Sequence, residues 1–273
     1  MNATNAGVTP EPGLTYSNLF IFNLRDELRG PKGELVATGE QAVMIDLNTL
    51  AWVSRKRFLG GARFSATATL LFSNNSLASD PVGPLGGGGG FADSFYQPFI
   101  LGWETERAGF RLAYGVLAPT GRFEAGASDN VGSGYWTHAP STGLTFYLTS
   151  DGRTALSAFV MYELHGTQQG TGIHPGETLD LDYSLTRTLR LRESLQLQLG
   201  LIGYGQWQTT GKTGPGVTAE ESGTRYSVSA LGVAANLILS AQKASLGLKY
   251  LTEVRSRSTF QGSSLQISAA IRF

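Results

Sequence analysis

Cysteine is absent from all 273 residues of the chain. Disulfide staples, thiolate metal sites and a cysteine nucleophile are therefore excluded. Charge is scarce, with Asp, Glu, Lys and Arg at 15% against ~25% in ordinary soluble domains. An excess of either sign is also missing, because 21 basic residues face 21 acidic ones. A nucleic-acid binder needs a basic surplus to neutralise phosphates, so no nucleic-acid partner is expected. No apolar run approaches the ~20 residues that a transmembrane helix requires. The opening Met1–Pro12 (MNATNAGVTPEP) is polar. It lacks the basic and apolar regions of a signal peptide, which is expected to have been removed from this chain. What the chain does have is glycine (36 residues), aromatics (10%) and apolar residues (41%). They are spread along its length, which argues against disorder.

The apolar residues recur with period 2, the mark of half-buried strands. Phe110, Leu112, Tyr114, Val116 and Ala118 share one face. Leu179, Leu181, Tyr183 and Leu185 alternate with Asp180, Asp182, Ser184 and Thr186. Leu195, Leu197, Leu199 and Leu201 alternate with Gln196, Gln198, Gly200 and Ile202. The C-terminus alternates strictly through Leu265, Ile267, Ala269, Ile271 and Phe273. It resembles the last strand of bacterial outer-membrane barrels, whose assembly machinery reads such an aromatic ending.

The spacing predicts twelve strands, running from 14–27 and 41–56 to 243–256 and 263–273. The connections between them fall into two classes. Those at 57–61, 106–108, 151–152, 191–193 and 241–242 are short. Those after the odd-numbered strands are long and rich in Gly, Pro, Asn and Ser, as at Ser76–Gly90 and Gly121–Thr137, with only the last, Arg257–Gly262, shorter. Transmembrane barrels have short periplasmic turns, long external loops and an even strand count. The sequence therefore reads as all-β: a transmembrane antiparallel up-and-down β-barrel of 12 strands over residues 14–273. Residues 1–13 form an N-terminal periplasmic segment, and the barrel is expected to be a monomer in the bacterial outer membrane.

Alternation then assigns faces. The Leu, Val, Ile and Tyr faces should meet outer-membrane lipid, among them Val43, Ile45, Leu47, Thr49, Ala51 and Val53, opposite Met44, Asp46, Asn48, Leu50 and Trp52. The other faces carry Arg63, Arg111, Glu163, Asp180, Asp182, Lys249, Glu253, Arg255 and Arg272. Such charges are expensive in hydrocarbon and are expected to line a lumen laced by ion pairs. Tyr16, Trp52, Trp103, Trp207 and Tyr250 are candidates for interfacial girdles. Alternation fails at Leu19–Phe22 and at Phe99–Leu101, where Pro98 interrupts the ladder and suggests a bulge or weakened wall.

Particular residues add a resemblance. Ala118–Phe123 (APTGRF) is followed by Asn130 and by Gly132–Thr137 (GSGYWT). Tyr162-Glu163, Pro175-Gly176-Glu177, the Leu179–Tyr183 strand and Gly200–Gln206 (GLIGYGQ) come next, and Gly7–Pro10 with Pro12-Gly13 opens the series. In order and spacing, over roughly 7–273, this resembles the outer-membrane family associated with the meta-cleavage pathway of phenol degradation. The resemblance implies a porin-like protein for hydrophobic or aromatic compounds and supplies no agreed binding residues. Within these motifs, Gly132 and Gly134 suggest unusual backbone angles in a folded external loop. Tyr135 and Trp136 would then turn inward as a plug or gate, with Pro98 as the weakened wall.

Other chemistry finds little footing. His138, His165 and His174 are the only histidines. A His–Ser–acid set can be drawn on paper, but no spacing singles one out. Gly86–Gly90 is no phosphate loop, because neither a Lys-Ser/Thr nor a helix follows. Asp180 and Asp182 lack calcium-loop spacing, so no cofactor or metal is expected. The leading expectation is a non-enzymatic channel for passive diffusion of small hydrophobic or aromatic solutes. A closed structural or adhesive barrel, and a lipid-modifying barrel enzyme, are the alternatives.

Overall fold

Strands in lipid must pair on both edges, because hydrocarbon offers no partner to a free N–H or C=O. The computed structural model describes residues 4–74 and 88–273. It contains strands β1 (Gly13–Arg29), β2 (Leu35–Phe58), β3 (Ala62–Ser73), β4 (Gly90–Phe91), β5 (Ser94–Glu104), β6 (Ala108–Ala118), β7 (Thr137–Tyr147), β8 (Thr154–His165), β9 (Thr178–Arg192), β10 (Leu195–Gln208), β11 (Ser227–Leu239), β12 (Ala244–Arg257) and β13 (Thr259–Arg272). Twelve of them form a closed antiparallel ring: each pairs with its chain neighbour, β3 pairs with β5, and β1 pairs with β13. The two-residue β4 pairs only with the end of β3 and stands outside the ring. One short helix, α1 (Ala219–Gly223), lies in a loop behind a capping box on Thr218. None of the described helices is long and apolar enough to cross a membrane.

The usual burial pattern is inverted. Thr178, Asp180, Asp182, Ser184 and Thr186 of β9 are buried, while Leu201 is 64% exposed and Val233 55% exposed. Apolar side chains face outward all round the wall, and hydroxyls, amides and carboxylates fill the inside. This is the distribution for a surface bathed in lipid. Two bare glycines on the outer face, Gly203 and Gly205, are covered by the rings of Tyr183 and Trp207. Trp52, Phe64 and Phe99 form an edge-to-face aromatic chain on the same outer surface.

The two loop classes hold with an exception at the seam. Turns at 105–107, 148–153, 193–194 and 240–243 are short, and the connections at 119–136, 166–177 and 209–226 are long. The expected loop Ser76–Gly90 lies, up to Gly87, outside the described residues. The long loop expected after the first strand is instead a continuation of the hairpin, with β1 and β2 extending to a tight connection at 30–34. The β12–β13 connection is likewise a single residue, Ser258, with φ 50°. In the short turn at 148–153, the Thr149 hydroxyl and the Arg153 amide donate to Asp151 and hold its carboxyl below the usual range.

Two details correct the face assignment, and a third resolves the irregularity at Pro98. First, β2 is turned the other way. Val43 and Val53 are buried inside, whereas Met44, Leu50 and Trp52 are exposed outside. The reason lies in its neighbours: Trp52 and Leu50 stand opposite Leu14 and Tyr16, whose own face is outward. Asp46 and Asn48 therefore point to the lipid side. They are joined there into one network, with Asn18 donating to Asp46 at 2.5 Å, Asn48 donating to Asp46 at 3.0 Å and Tyr16 donating to Asn48 at 2.6 Å. Second, a bulge at Val254 shifts the phase of β12 and brings Arg255 onto the exposed outer face, while Ser256 turns inward. Arg255 is thus not a lumen residue. Third, Gln97 and Pro98 together oppose the single residue Gly115, so the Pro98 irregularity is a β-bulge that restores phase.

The lipid-facing Asp46 network has a measurable cost. Replacing a satisfied polar cluster by apolar groups in hydrocarbon is expected to stabilise by about 1–3 kcal/mol. The double change Asn18→Leu with Asp46→Leu should raise the urea midpoint for unfolding from phospholipid vesicles. A lowered midpoint would mean that this patch is covered by a polar partner in the membrane.

Candidate functional site

The interior is occupied at three heights. At the short-turn end, the N-terminal segment is folded up into the bore. The Gly7 amide donates to Thr145 at 3.0 Å and the Thr9 amide to Glu104 at 3.0 Å. Across the ring, Asn5 and Gln198 exchange amide hydrogen bonds at 3.3 and 3.5 Å. The segment thus spans from β5 and β7 to β10. Glycines make room for it: a Cβ on Gly143 would overlap the Ala6 carbonyl, and one on Gly109 would lie 2.7 Å from the Gly7 carbonyl. Sequence reasoning missed this contact. Its signal was glycine at inward positions of β6 and β7, where a filled lumen would use side chains.

At mid-height, Asp182, Ile202, Tyr204, Lys249, Leu251 and Gln266 surround a void of about 10 Å³ as measured to the centre of a water molecule. That is room for about one water. The joining is done largely by neutral donors. Gln206 donates to Asp180 at 2.7 Å, Tyr204 donates to Glu253 at 2.9 Å, and Asn236 donates to Gln198 at 3.1 Å. Among the described residues, the ion pairs of Arg or Lys within 4.0 Å are Arg29–Glu27, Arg122–Asp129, Arg153–Asp151 and Arg187–Asp151, all near the rims. Hydroxyl and amide groups thus join the inward carboxylates and amides of this layer.

At the outer mouth, loop 119–136 folds against the ends of β3 and β5 and against loop 166–177. Its anchor is Asp93, fully buried, whose carboxylate accepts from the amides of Gly121 and Ser133 at 3.0 and 2.7 Å and from the Ser133 hydroxyl at 2.5 Å. Gly121 and Gly132 press backbone on backbone here, so Gly132 serves close approach, while Gly134 takes φ 74°. Tyr135, 7% exposed, turns inward and stacks edge-on against His165 at 5.2 Å. Thr137 bonds the same imidazole at 2.8 Å, and Thr178 donates to Glu163 at 2.6 Å. Trp136 does not join them. Trp136, just before β7 begins at Thr137, is 52% exposed.

Of the remaining residues singled out from sequence, Arg63, Arg111, Glu163, Asp180, Asp182, Lys249 and Glu253 sit at inward positions of their strands. The Nε atoms of Arg63 and Arg111 are shielded from solvent. Arg272 shares the phase of Gln266 near the short-turn rim. Pro98 is exposed on the wall at its bulge. An inward apolar cluster of Leu71, Ala92 and Val131, with Ile45, Leu47 and Phe95, runs down from the anchored loop on this side. The Phe95 ring ends against Gly115, directly opposite the bulge.

Two tests follow from the bore. Deleting residues 4–12, or excluding them with Gly143→Leu, is expected to raise single-channel conductance several-fold in planar bilayers. Unchanged conductance in both would show that the segment is not the constriction. Removing the Asp93 carboxylate strands several donors, a loss of about 3 kcal/mol. Asp93→Ala should therefore make loop 119–136 roughly a hundredfold more sensitive to external protease, with the barrel itself intact.

Comparison with known proteins places this geometry. No curated protein matches the sequence. The crystal structure of an outer-membrane channel from Pseudomonas putida F1 matches with TM-score 0.79 at 12% identity, over 100% of both chains. The β domain of the Bordetella autotransporter BrkA matches with TM-score 0.56 at 12% identity, over 96% of this chain and 100% of that one. The translocator domain of the autotransporter NalP from Neisseria meningitidis gives TM-score 0.53 at 10% identity, over 99% and 92%. These likenesses establish the outer-membrane barrel fold. A family model described as "Putative MetA-pathway of phenol degradation" matches residues 26–269, and the chain belongs to that family.

Proposed function

We propose that the protein is an outer-membrane channel for passive diffusion of small hydrophobic or aromatic compounds. The observation that carries this reading is an N-terminal segment bonded across the polar bore beside an inward apolar cluster. Water-soluble solutes meet the N-terminal segment bonded across the bore. Apolar solutes meet Val131, Leu71 and Phe95 below the anchored loop and arrive at the bulge of Gln97 and Pro98. Across β6 from that bulge, Tyr114 pairs with Pro140, and the β7–β8 ladder skips from His138↔Leu164 to Ser141↔Met161. The ladder is interrupted there, which suits sideways exit into lipid. The family description, phenol degradation, and the channel from Pseudomonas putida F1 support the same class of cargo.

In this reading residues 1–13 form a periplasmic stopper, the barrel works as a monomer, and the final strand ending at Phe273 is what the barrel-assembly machinery engages. Catalysis is not part of it. The best base, His165, sits against Thr137, whose hydroxyl is buried with the residue 1% exposed. A nucleophile so placed has no path to a lipid ester. The filled bore favours one alternative, a closed structural barrel.

Uptake of a radiolabelled monoaromatic hydrocarbon into proteoliposomes separates the two. The channel reading expects uptake above protein-free vesicles, lowered several-fold when the track is closed by Val131→Trp. Uptake equal to that of protein-free vesicles for a series of aromatics would leave the structural barrel.

A further inference from the structure

We propose that the outer end of strands β10–β12 carries a binding site for a phosphate-bearing glycolipid of the outer leaflet, with Arg255 and Arg257 as its anion clamp. The bulge at Val254 is what creates it. Without that extra residue Arg255 and Arg257 would alternate into the lumen; with it they stand side by side on the outer face. Arg225, at the end of the preceding loop, completes a basic group and donates to the Thr209 carbonyl at 2.6 Å. A cleft of about 330 Å³ opens among Trp207, Arg225, Ser227, Arg257 and Pro31.

The neighbouring positions are small. Cross-strand rows on the outer face read Trp207, Ser227, Arg257 and, one step lower, Gly205, Ser229, Arg255. Nothing bulky stands between the two arginines and the surrounding medium. Two of the carboxylates on these elements are engaged elsewhere. Glu253 accepts from Tyr204 inside the bore, and Glu221 accepts from Thr218 in its capping box. Among the described residues no carboxylate lies within 4.0 Å of Arg225, Arg255 or Arg257.

The rows beneath identify the occupant. Leu231, Leu201, Val233 and Tyr250 follow on the same face and are exposed. An anion site stacked directly above a bare apolar strip matches an amphiphile with its phosphate uppermost and its acyl chains below. Arginine suits the role because its planar donors grip phosphate in a bidentate way. Free phosphate would use the clamp alone and gain nothing from the strip. The long loops mark this end as the outer one, where the phosphate-bearing lipid is lipid A.

The test uses the full chain in detergent with defined lipid A, read as bound lipid per barrel by native mass spectrometry. Wild type is expected to retain the phosphorylated lipid and to hold a chemically dephosphorylated form about tenfold less. Arg255→Ser with Arg257→Ser should lower retention of the phosphorylated lipid by the same factor. Arg187→Ser, at the opposite end of the outer face, should leave it unchanged. Folding of each variant is checked by its heat-modifiable migration, and the wild-type comparison of the two lipids needs no variant at all. Equal retention of both lipids, wild-type retention by the folded double variant, or displacement by excess inorganic phosphate would overturn the proposal.

Discussion

Everything in this molecule follows from the need to pair every backbone donor and acceptor in a medium that supplies none. That need closes the ring, joining the first strand to the last along fourteen registered residue pairs from Thr15↔Arg272 to Arg29↔Thr259. Closure creates an inside, and the inside inherits every side chain that lipid rejects. The polar core of β9 and the exposed leucines of β10 are two outcomes of one constraint. In a water-soluble protein the same alternation would point the other way.

A ring of twelve strands has a narrow bore, and this one is filled by what it has at hand. Short hydroxyl and amide side chains, the chain's own N-terminus and one folded external loop share the space. One side of the wall keeps an apolar lining from the loop anchor at Asp93 to the Pro98 bulge. Selectivity for apolar cargo in such a protein comes from what is blocked as much as from what is lined.

Much of this was readable from period and loop length alone. Twelve strands, two loop classes and the inward carboxylates of β9 all follow from local alternation, because alternation is a property of one strand. The errors share a cause as well: they occur where a second strand or a bulge decides. For β2, the apolar face Val43–Val53 looked lipid-bound, yet its partners Leu14 and Tyr16 fix it as inner. For Arg255, one inserted residue reversed the phase. Trp136 was paired with Tyr135 by adjacency, yet Tyr135 is buried and Trp136 exposed. Asp93 and the Gly143 cradle gave little local sign, since their partners lie 28 to 40 residues or more away.

The N-terminal segment has one further consequence. It joins the wall at Gly13 with no intervening linker, so the stopper can never diffuse away from its seat. Its effective concentration at the bore is set by the chain itself, on the order of millimolar or higher for so short a tether. Contacts as slight as Gly7 to Thr145 and Asn5 to Gln198 can then hold it in place most of the time. The same slightness lets it leave and return without unfolding the wall. Occlusion by a tethered segment is thus a reversible equilibrium, whose position can be tuned by single hydrogen bonds rather than by rebuilding the barrel.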